Sequence, residues 1–468
     1  MKRNYGNISK KCLMAILAAS IIMSSSVSGI MGPVAVYAND NNPSSNTQEG
    51  GAATNTADTN NGTITTNAES ETITTNTGTV ETNNGTVTTN AAGGTVETNN
   101  GKVETNATGG TITTNAAGGT VETNNGTVTT NEKDGTVETN DGTVTTNAAG
   151  GTITTNEKDG TVETNNGTVK TNEVRGTITT NATDGTVETN LGKIETNNGT
   201  VNLVEVTVTN DTNGNSTNYC GSIELNYGTV VNNGSKGKKY IQTEDNNNQA
   251  ARPQVVSNFG TVENNYGSIG DNCKTVENNY SYVASNIGQT SEEGNIVGMV
   301  TNNYGYVANS GGLAVVENNY NNAVCSGDKG NGIGTVINNY KNVLGVCNVE
   351  NNFGSVETSG TSSTQATIVT NNYNKGTVTA NGVQAGDAPE VVTVVNNFGG
   401  SVVKGENGTT STVTVTNNYE GTVGEGVTVV NEFYSVTMNA DSSNSTVTYS
   451  TGFVSASDGT KDGTKQYI

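Results

Sequence analysis

The chain has 468 residues, of which only 31% are hydrophobic and 5% aromatic, and its formal net charge is −22. A surface that acidic excludes nucleic acid and anionic membranes as electrostatically favoured partners. Histidine and tryptophan are absent, which removes Ser-His-Asp and Cys-His catalysis, histidine zinc sites and the usual proton shuttle near neutral pH.

Residues 1–38 have the form of a signal peptide. Lys2, Arg3, Lys10 and Lys11 make a basic start, Leu13 to Met23 is apolar, and Val36-Tyr37-Ala38 offers a small-residue cleavage site. The apolar stretch is broken by serines and falls short of the roughly 20 residues of a membrane span. The expected mature chain therefore starts near Asn39, lies outside the cell and has no membrane span. Removing four positive charges and no acid takes its net charge to −26. Residues 39–61, rich in Asn, Ser, Thr and Ala without a fixed phase, read as a disordered linker.

From residue 62 to 203 the chain repeats one short sentence, as in GTVETNNGTVTTN, with Val or Ile recurring every 7 or 9 residues from Ile64 to Val201. That spacing admits a strand of four or five residues and a tight turn. Gly, Asn and Thr, all poor in helix interiors, dominate, and no 3.6-residue period is present. One apolar residue per strand cannot hold an open sheet, so each unit must share its neighbours' burial, as in a solenoid. Val137, Val162 and Val187, in units of the form Thr-Val-Glu-Thr, are 25 residues apart. This interval predicts a parallel β-helix, or β-solenoid, with about three strands per coil. It also predicts a column of Glu138, Glu163 and Glu188 and a turn row of Asp134, Asp159 and Asp184. Strand alternation then turns Thr136 and Glu138 outward and Thr139 inward, and Asn140 at the strand end is suited to stack on the Asn of the next coil. Asn-Gly pairs such as Asn125-Gly126 also signal hairpins, so an antiparallel meander is the competing fold.

Residues 204–254 read as a junction with a polar excursion that includes Lys236, Lys238 and Lys239. From 255 to 433 the repeat becomes Val-x-Asn-Asn-Tyr/Phe. Its aromatics, Tyr266, Tyr280, Tyr304, Tyr320, Tyr340, Phe353, Tyr373, Phe398 and Tyr419, are the candidate ligand contacts, as a glycan-binding stripe; as a stabilising stack they would have no ligand. Inserts such as 281–298 are the other candidate contact sites. Residues 434–468 are expected to form a capping hairpin, with strands at 434–438 and 446–449, and a tail.

Cys220, Cys273, Cys325 and Cys347 contain no Cys-x-x-Cys pair, which argues against structural zinc. Cys325 and Cys347, 22 residues apart, suit either a disulfide between coils or two buried thiols.

In its in-phase Val/Ile, its Asn-Gly turns and its Asn-Asn-Tyr/Phe row, the chain resembles the secreted bacterial parallel β-helix proteins over residues 62–433. That group includes surface adhesins and pectin-degrading enzymes. The resemblance is architectural, and no residue matches a catalytic constellation of the group. The acids recur with the repeat, which favours solvation over a catalytic pair. The reading is an adhesin-like structural protein acting through surface contacts with a glycan or matrix ligand, with no enzymatic activity, catalytic residue, metal or cofactor. A carbohydrate-active enzyme and an ice-binding protein, the latter suggested by Thr152 with Thr154 and Thr177 with Thr179, are the alternatives.

Overall fold

The computed structural model describes residues 56–203, 205–209, 216–234, 254–289, 295–325, 333–358, 366–383, 389–405, 410–433, 452–454 and 466–467. All of them belong to the unit Gly50–Ile468; the other unit, Met1–Glu49, holds the expected signal peptide and lies outside the described residues.

Each Thr-x-x-Thr-Asn unit is one strand. Strands Thr56–Asn60, Thr72–Asn76 and Thr86–Asn90 stack in parallel in one sheet, and Thr63–Asn67, Thr79–Asn83 and Thr95–Asn99 stack in a second. Consecutive strands alternate between the two sheets along the chain. The fold is therefore a parallel β-solenoid, and the antiparallel meander is excluded. A coil has two strands, not three. The correction has a simple physical cause. A spacing of 7 leaves a two-residue arc between five-residue strands and a spacing of 9 leaves a four-residue arc, and either arc carries the chain across to the opposite sheet. The register stays fixed while coil length varies: Thr136 lies opposite Thr152, Val137 opposite Ile153, Thr139 opposite Thr155 and Asn140 opposite Asn156.

The inward residues are the second and fifth of each strand. Val137 and Asn140 are fully buried, whereas Thr139, expected inside, is half-buried. The core thus has a Val/Ile column and an Asn column on each sheet. Where two buried Asn follow one another in a sheet, the Nδ2 of one donates to the Oδ1 of the next coil, as from Asn124 to Asn140 and from Asn140 to Asn156, both 2.7 Å. The same Nδ2 of Asn140 reaches the carbonyls of Gly142 and Thr161 at 3.2 Å. An amide that satisfies its neighbours above and below removes the usual penalty of burying a polar side chain. This is how so apolar-poor a sequence holds a buried core.

Four-residue arcs close with a bond between their first and last residues, such as Gly94 N to Ala91 O at 2.9 Å. In several of them the third residue is left-handed, glycine at Gly93 (φ 84°) but Asp134 and Arg175 elsewhere (φ 63° and 72°).

Two stretches differ from expectation. The coil starts within the expected linker, since Thr56–Asn60 pairs with Thr72–Asn76; Ala57 stands where later strands have Val or Ile, which hid this strand. The expected junction contains two ordinary coil strands, Ser222–Asn226 and Thr229–Asn233, stacked on Lys193–Asn197 and Thr200–Leu203. An antiparallel hairpin, Glu205–Thr209 with Ser216–Cys220, is inserted in the arc that precedes them. The two halves therefore form one continuous stack. The lysines at 236, 238 and 239 and the strands expected at 434–438 and 446–449 lie outside the described residues. What is described there is antiparallel: Gly452–Val454 pairs with Thr428–Phe433 and with Gln466–Tyr467.

Candidate functional site, the aromatic edge

In the second half the arcs leaving the two sheets diverge in length. Arcs after strands of the first sheet stay at two or three residues, as between Asn279 and Tyr282 or between Asn303 and Tyr306. The long inserts follow strands of the second sheet, after Tyr282–Gln289, Asn322–Cys325, Ser355–Glu357, Thr377–Ala380 and Ser401–Lys404. Inserts and aromatics, both expected as contact sites, are thus on opposite edges of the solenoid.

The short arcs open with the aromatic residues. Because Asn265, Asn279 and Asn303 point inward, the next residue turns out at the bend, and the coil register then stacks the rings. All nine expected aromatics fall into this single row, and it continues to Phe433. Neighbouring ring centroids are 4.9 Å apart at Tyr266–Tyr280, 5.2 Å at Tyr280–Tyr304, 4.7 Å at Phe353–Tyr373 and 4.6 Å at Tyr419–Phe433, nearly parallel throughout. Tyr282 and Tyr306 make a second short stack at 5.9 Å beside the row.

Tyr280, Tyr304 and Tyr340 are each 44% exposed. The exposed part is the ring edge and hydroxyl, since the two faces meet the neighbouring rings. Burial and the neighbouring phenol raise the Tyr266 and Tyr306 hydroxyls above the ordinary tyrosine range. The row is therefore a stabilising stack and an exposed aromatic stripe at once.

Sequence reasoning missed a second column beside it. The two Asn of Val-x-Asn-Asn face opposite sides of the sheet: the second joins the inner ladder, and the first forms an outer one. The outer ladder runs from Asn202 to Asn431, for example Asn302 Nδ2 to Asn278 Oδ1 at 3.1 Å, Asn318 to Asn302 at 3.2 Å and Asn338 to Asn318 at 3.0 Å. Its amides donate towards the preceding coil, whereas the inner ladder donates towards the following one. The doublet Asn-Asn, repeated in every unit, was the available signal.

The first half presents a different face. The columns expected from the 25-residue interval do not form. Glu138 lies between Glu122 and Thr154, Glu163 between Thr145 and Thr179, and Glu188 follows Lys170. Asp134 is bracketed by Gly118 and Gly150, and Asp159 pairs with Arg175 at 3.2 Å. Between the stacked Glu104 and Glu122 a lysine intervenes: Lys102 Nζ contacts Glu122 at 2.7 Å and Glu104 at 3.2 Å, and these bonds raise its pKa. Threonine rows, in contrast, persist. Thr63, Thr79, Thr95, Thr111, Thr127, Thr143, Thr161 and Thr177 align along the second sheet.

Cys325 and Cys347 form a disulfide, with Cα atoms 5.5 Å apart. It stands where the inner ladder of the second sheet ends: Asn286 donates to Ser310 Oγ at 3.4 Å, and Ser310 lies opposite Cys325. Cys273 is buried, and the Cys220 side chain lies outside the described residues. Among the described residues no group of three or more His, Cys, Asp or Glu is placed to hold a metal ion. Among them, too, no helix is long and apolar enough to cross a membrane. No protein-family model, no curated protein and no solved structure matches this chain.

Proposed function

We propose that this chain is an exported structural and adhesive β-solenoid that acts through surface contacts and has no enzymatic activity. The observation that carries the reading is the aromatic edge, a straight exposed row of stacked rings kept clear of every long insert in its half. Export is supported by the basic-then-apolar start of the sequence and by the Cys325–Cys347 disulfide, a bond that persists in oxidising compartments. The test is retention of the purified full chain on immobilised cell-wall and host-matrix preparations, run beside release of reducing sugar from the same polysaccharides. Retention without turnover is the expected result. Turnover would overturn the non-enzymatic reading, and absence of retention would overturn the adhesive one. Mass spectrometry of the secreted chain should find its first residue near Asn39.

The register favours one second reading. Thr111 with Thr113, Thr127 with Thr129 and Thr143 with Thr145 stack on successive coils, a regular hydroxyl array of the kind that orders water. Glu81, Glu97 and Glu163 interrupt the same face on neighbouring coils. A thermal hysteresis assay decides it, and zero hysteresis removes ice binding.

A further inference from the structure

We propose that the aromatic edge of the second half binds a neutral, β-linked polysaccharide chain laid along the solenoid axis. This names a ligand class for the adhesive reading and rests on it.

The area of the edge marks it as an interaction surface. Tyr280, Tyr304, Tyr320, Tyr340, Phe353 and Phe398 are 37–44% exposed. With roughly 150–250 Å² per aromatic side chain, these six alone leave roughly 400–600 Å² uncovered. That reaches the size of the largest patches on ordinary soluble proteins, about 300–600 Å².

Its geometry selects a linear polymer. Contacts recur once per coil, at ring separations of 4.7–5.5 Å through this stretch. An extended β-1,4-linked pyranose chain advances by nearly the same distance per sugar, so successive sugars meet equivalent groups. An extended peptide suits the edge less well, because its natural docking direction is parallel to the strands, across the axis.

Its chemistry selects hydroxyl-bearing units. Asn302, Asn318 and Asn338 each spend one N–H and one lone pair on their ladder neighbours and keep one of each. The tyrosine hydroxyls add a donor and acceptor on every coil of the row except those of Phe353, Phe398 and Phe433. Since the ring faces are covered by other rings, contact is made through ring edges, hydroxyls and amides rather than by stacking a sugar on a ring face.

Charge selects against polyanions. Glu263, Glu277, Glu317 and Glu350 occupy one outward register position of the same sheet, two residues before the inner Asn. A uronate or phosphate chain would run beside carboxylates. Each sugar contributes little, and the summed contacts along the row supply the affinity.

The test uses the purified full chain and its depletion from solution by insoluble cellulose, chitin and pectate, with soluble β-1,4 oligosaccharides of increasing length as competitors. Two triple variants dissect the edge. Tyr304→Asn/Tyr320→Asn/Tyr340→Asn installs the residue that the first half carries at this bend in Asn61 and Asn125. Asn302→Thr/Asn318→Thr/Asn338→Thr installs the residue found at the equivalent position in Thr123 and Thr139. Because the solenoid already folds with both, circular dichroism spectra should match the parent.

The expected result is depletion by a neutral β-glycan but not by pectate, competition that strengthens with oligosaccharide length, and at least about a tenfold loss of binding in each variant. Stronger binding to pectate, or depletion by no neutral glycan, overturns the proposal. If sedimentation shows a dimer that the variants dissolve, the edge belongs to a second copy and the proposal also fails. Undiminished retention of both variants on wall or matrix preparations would remove this edge while leaving the adhesive reading standing.

Discussion

The inner asparagine ladder makes a quantitative demand of Asn140. Replacing it by alanine strips Asn124 Nδ2 of its 2.7 Å acceptor and Asn156 Oδ1 of its 2.7 Å donor, in a region where all three side chains are fully buried. Asn124 retains a bond to Thr143 O at 3.2 Å. A buried group left without its partner costs about 1–3 kcal/mol, so the two together cost about 2–6 kcal/mol. The chain supplies its own control at Asn190. The next residue in that column is Leu203, so Asn190 Nδ2 donates only to the carbonyls of Gly192 at 3.1 Å and Ser222 at 3.5 Å. Asn190→Ala therefore loses one ladder bond, the 2.6 Å one from Asn172, and orphans no further amide oxygen. It should cost roughly 1–3 kcal/mol less than Asn140→Ala. Because solenoid coils couple mainly to their neighbours, native-state hydrogen exchange is the right assay. Protection should fall in the coils between Thr120 and Asn156 and recover a few coils away. Equal losses for the two variants, or a loss below about 1 kcal/mol at Asn140, would refute the ladder as a source of stability.

Three further outcomes follow from the same geometry. Gly142→Ala would press a Cβ onto the Gly126 carbonyl of the preceding coil, so urea unfolding should show a loss of about 1–3 kcal/mol, and a neutral result would contradict the packing of that arc. Reduction of Cys325–Cys347, which closes a separation of 22 residues, should destabilise the surrounding coils by about 3 kcal/mol on the loop-entropy account; unfolding curves unchanged by reductant would argue against it. Tyr306 has its hydroxyl raised by burial and then by Tyr282, so the folded state holds this proton longer than the unfolded state. Its contribution is intact below about pH 10 and is lost as pH rises from there through the folded value; phenolate absorbance should show late titration, and Tyr306→Phe should soften the alkaline unfolding.

Much of this architecture was legible in the letters, and the errors have identifiable causes. The in-phase Val and Ile announced a solenoid because burial enforces their phase. The strand count failed because it was taken from Glu138, Glu163 and Glu188, whose side chains face out. An outward residue recurs without packing constraint, so its period carries no register. The constrained letter was the terminal Asn. Val137 and Asn140 are both buried three residues apart, so the backbone bends after the third residue and simple alternation does not hold to the strand end. Two inward residues per strand are enough for two facing sheets. At the aromatic edge the row was visible as a period, but its orientation was not, since a stacked column can be internal or external with the same spacing. The Asn-Asn doublet carries both amide ladders, but only one was read from it; the outer one follows because neighbours on a strand face opposite ways.

The changeover between the two halves occurs at one short strand, and its faults are coupled. Thr200–Leu203 has four residues where its neighbours in the sheet have five, and the register shifts across it on both sides. The missing residue places Leu203 in the inner Asn column, and the next amide in that column, Asn233, is left with a buried Oδ1 lacking a hydrogen-bond partner. The same shortening puts Asn202 where it accepts from Asn232 at 3.2 Å, the first rung of the outer ladder. The core thus gives up one inner bond at the coil where the outer amide column begins. Beyond that coil the first sheet keeps its inner Val and Asn columns, while Asn replaces Thr at one outward position and aromatics enter the bend. An interior satisfied by two residue types leaves the outward positions free to vary, so what the protein contacts can change without changing how it folds. That independence is why contact specificity in this chain belongs to the outward columns and arcs, and why substitutions borrowed from one half should be tolerated by the other.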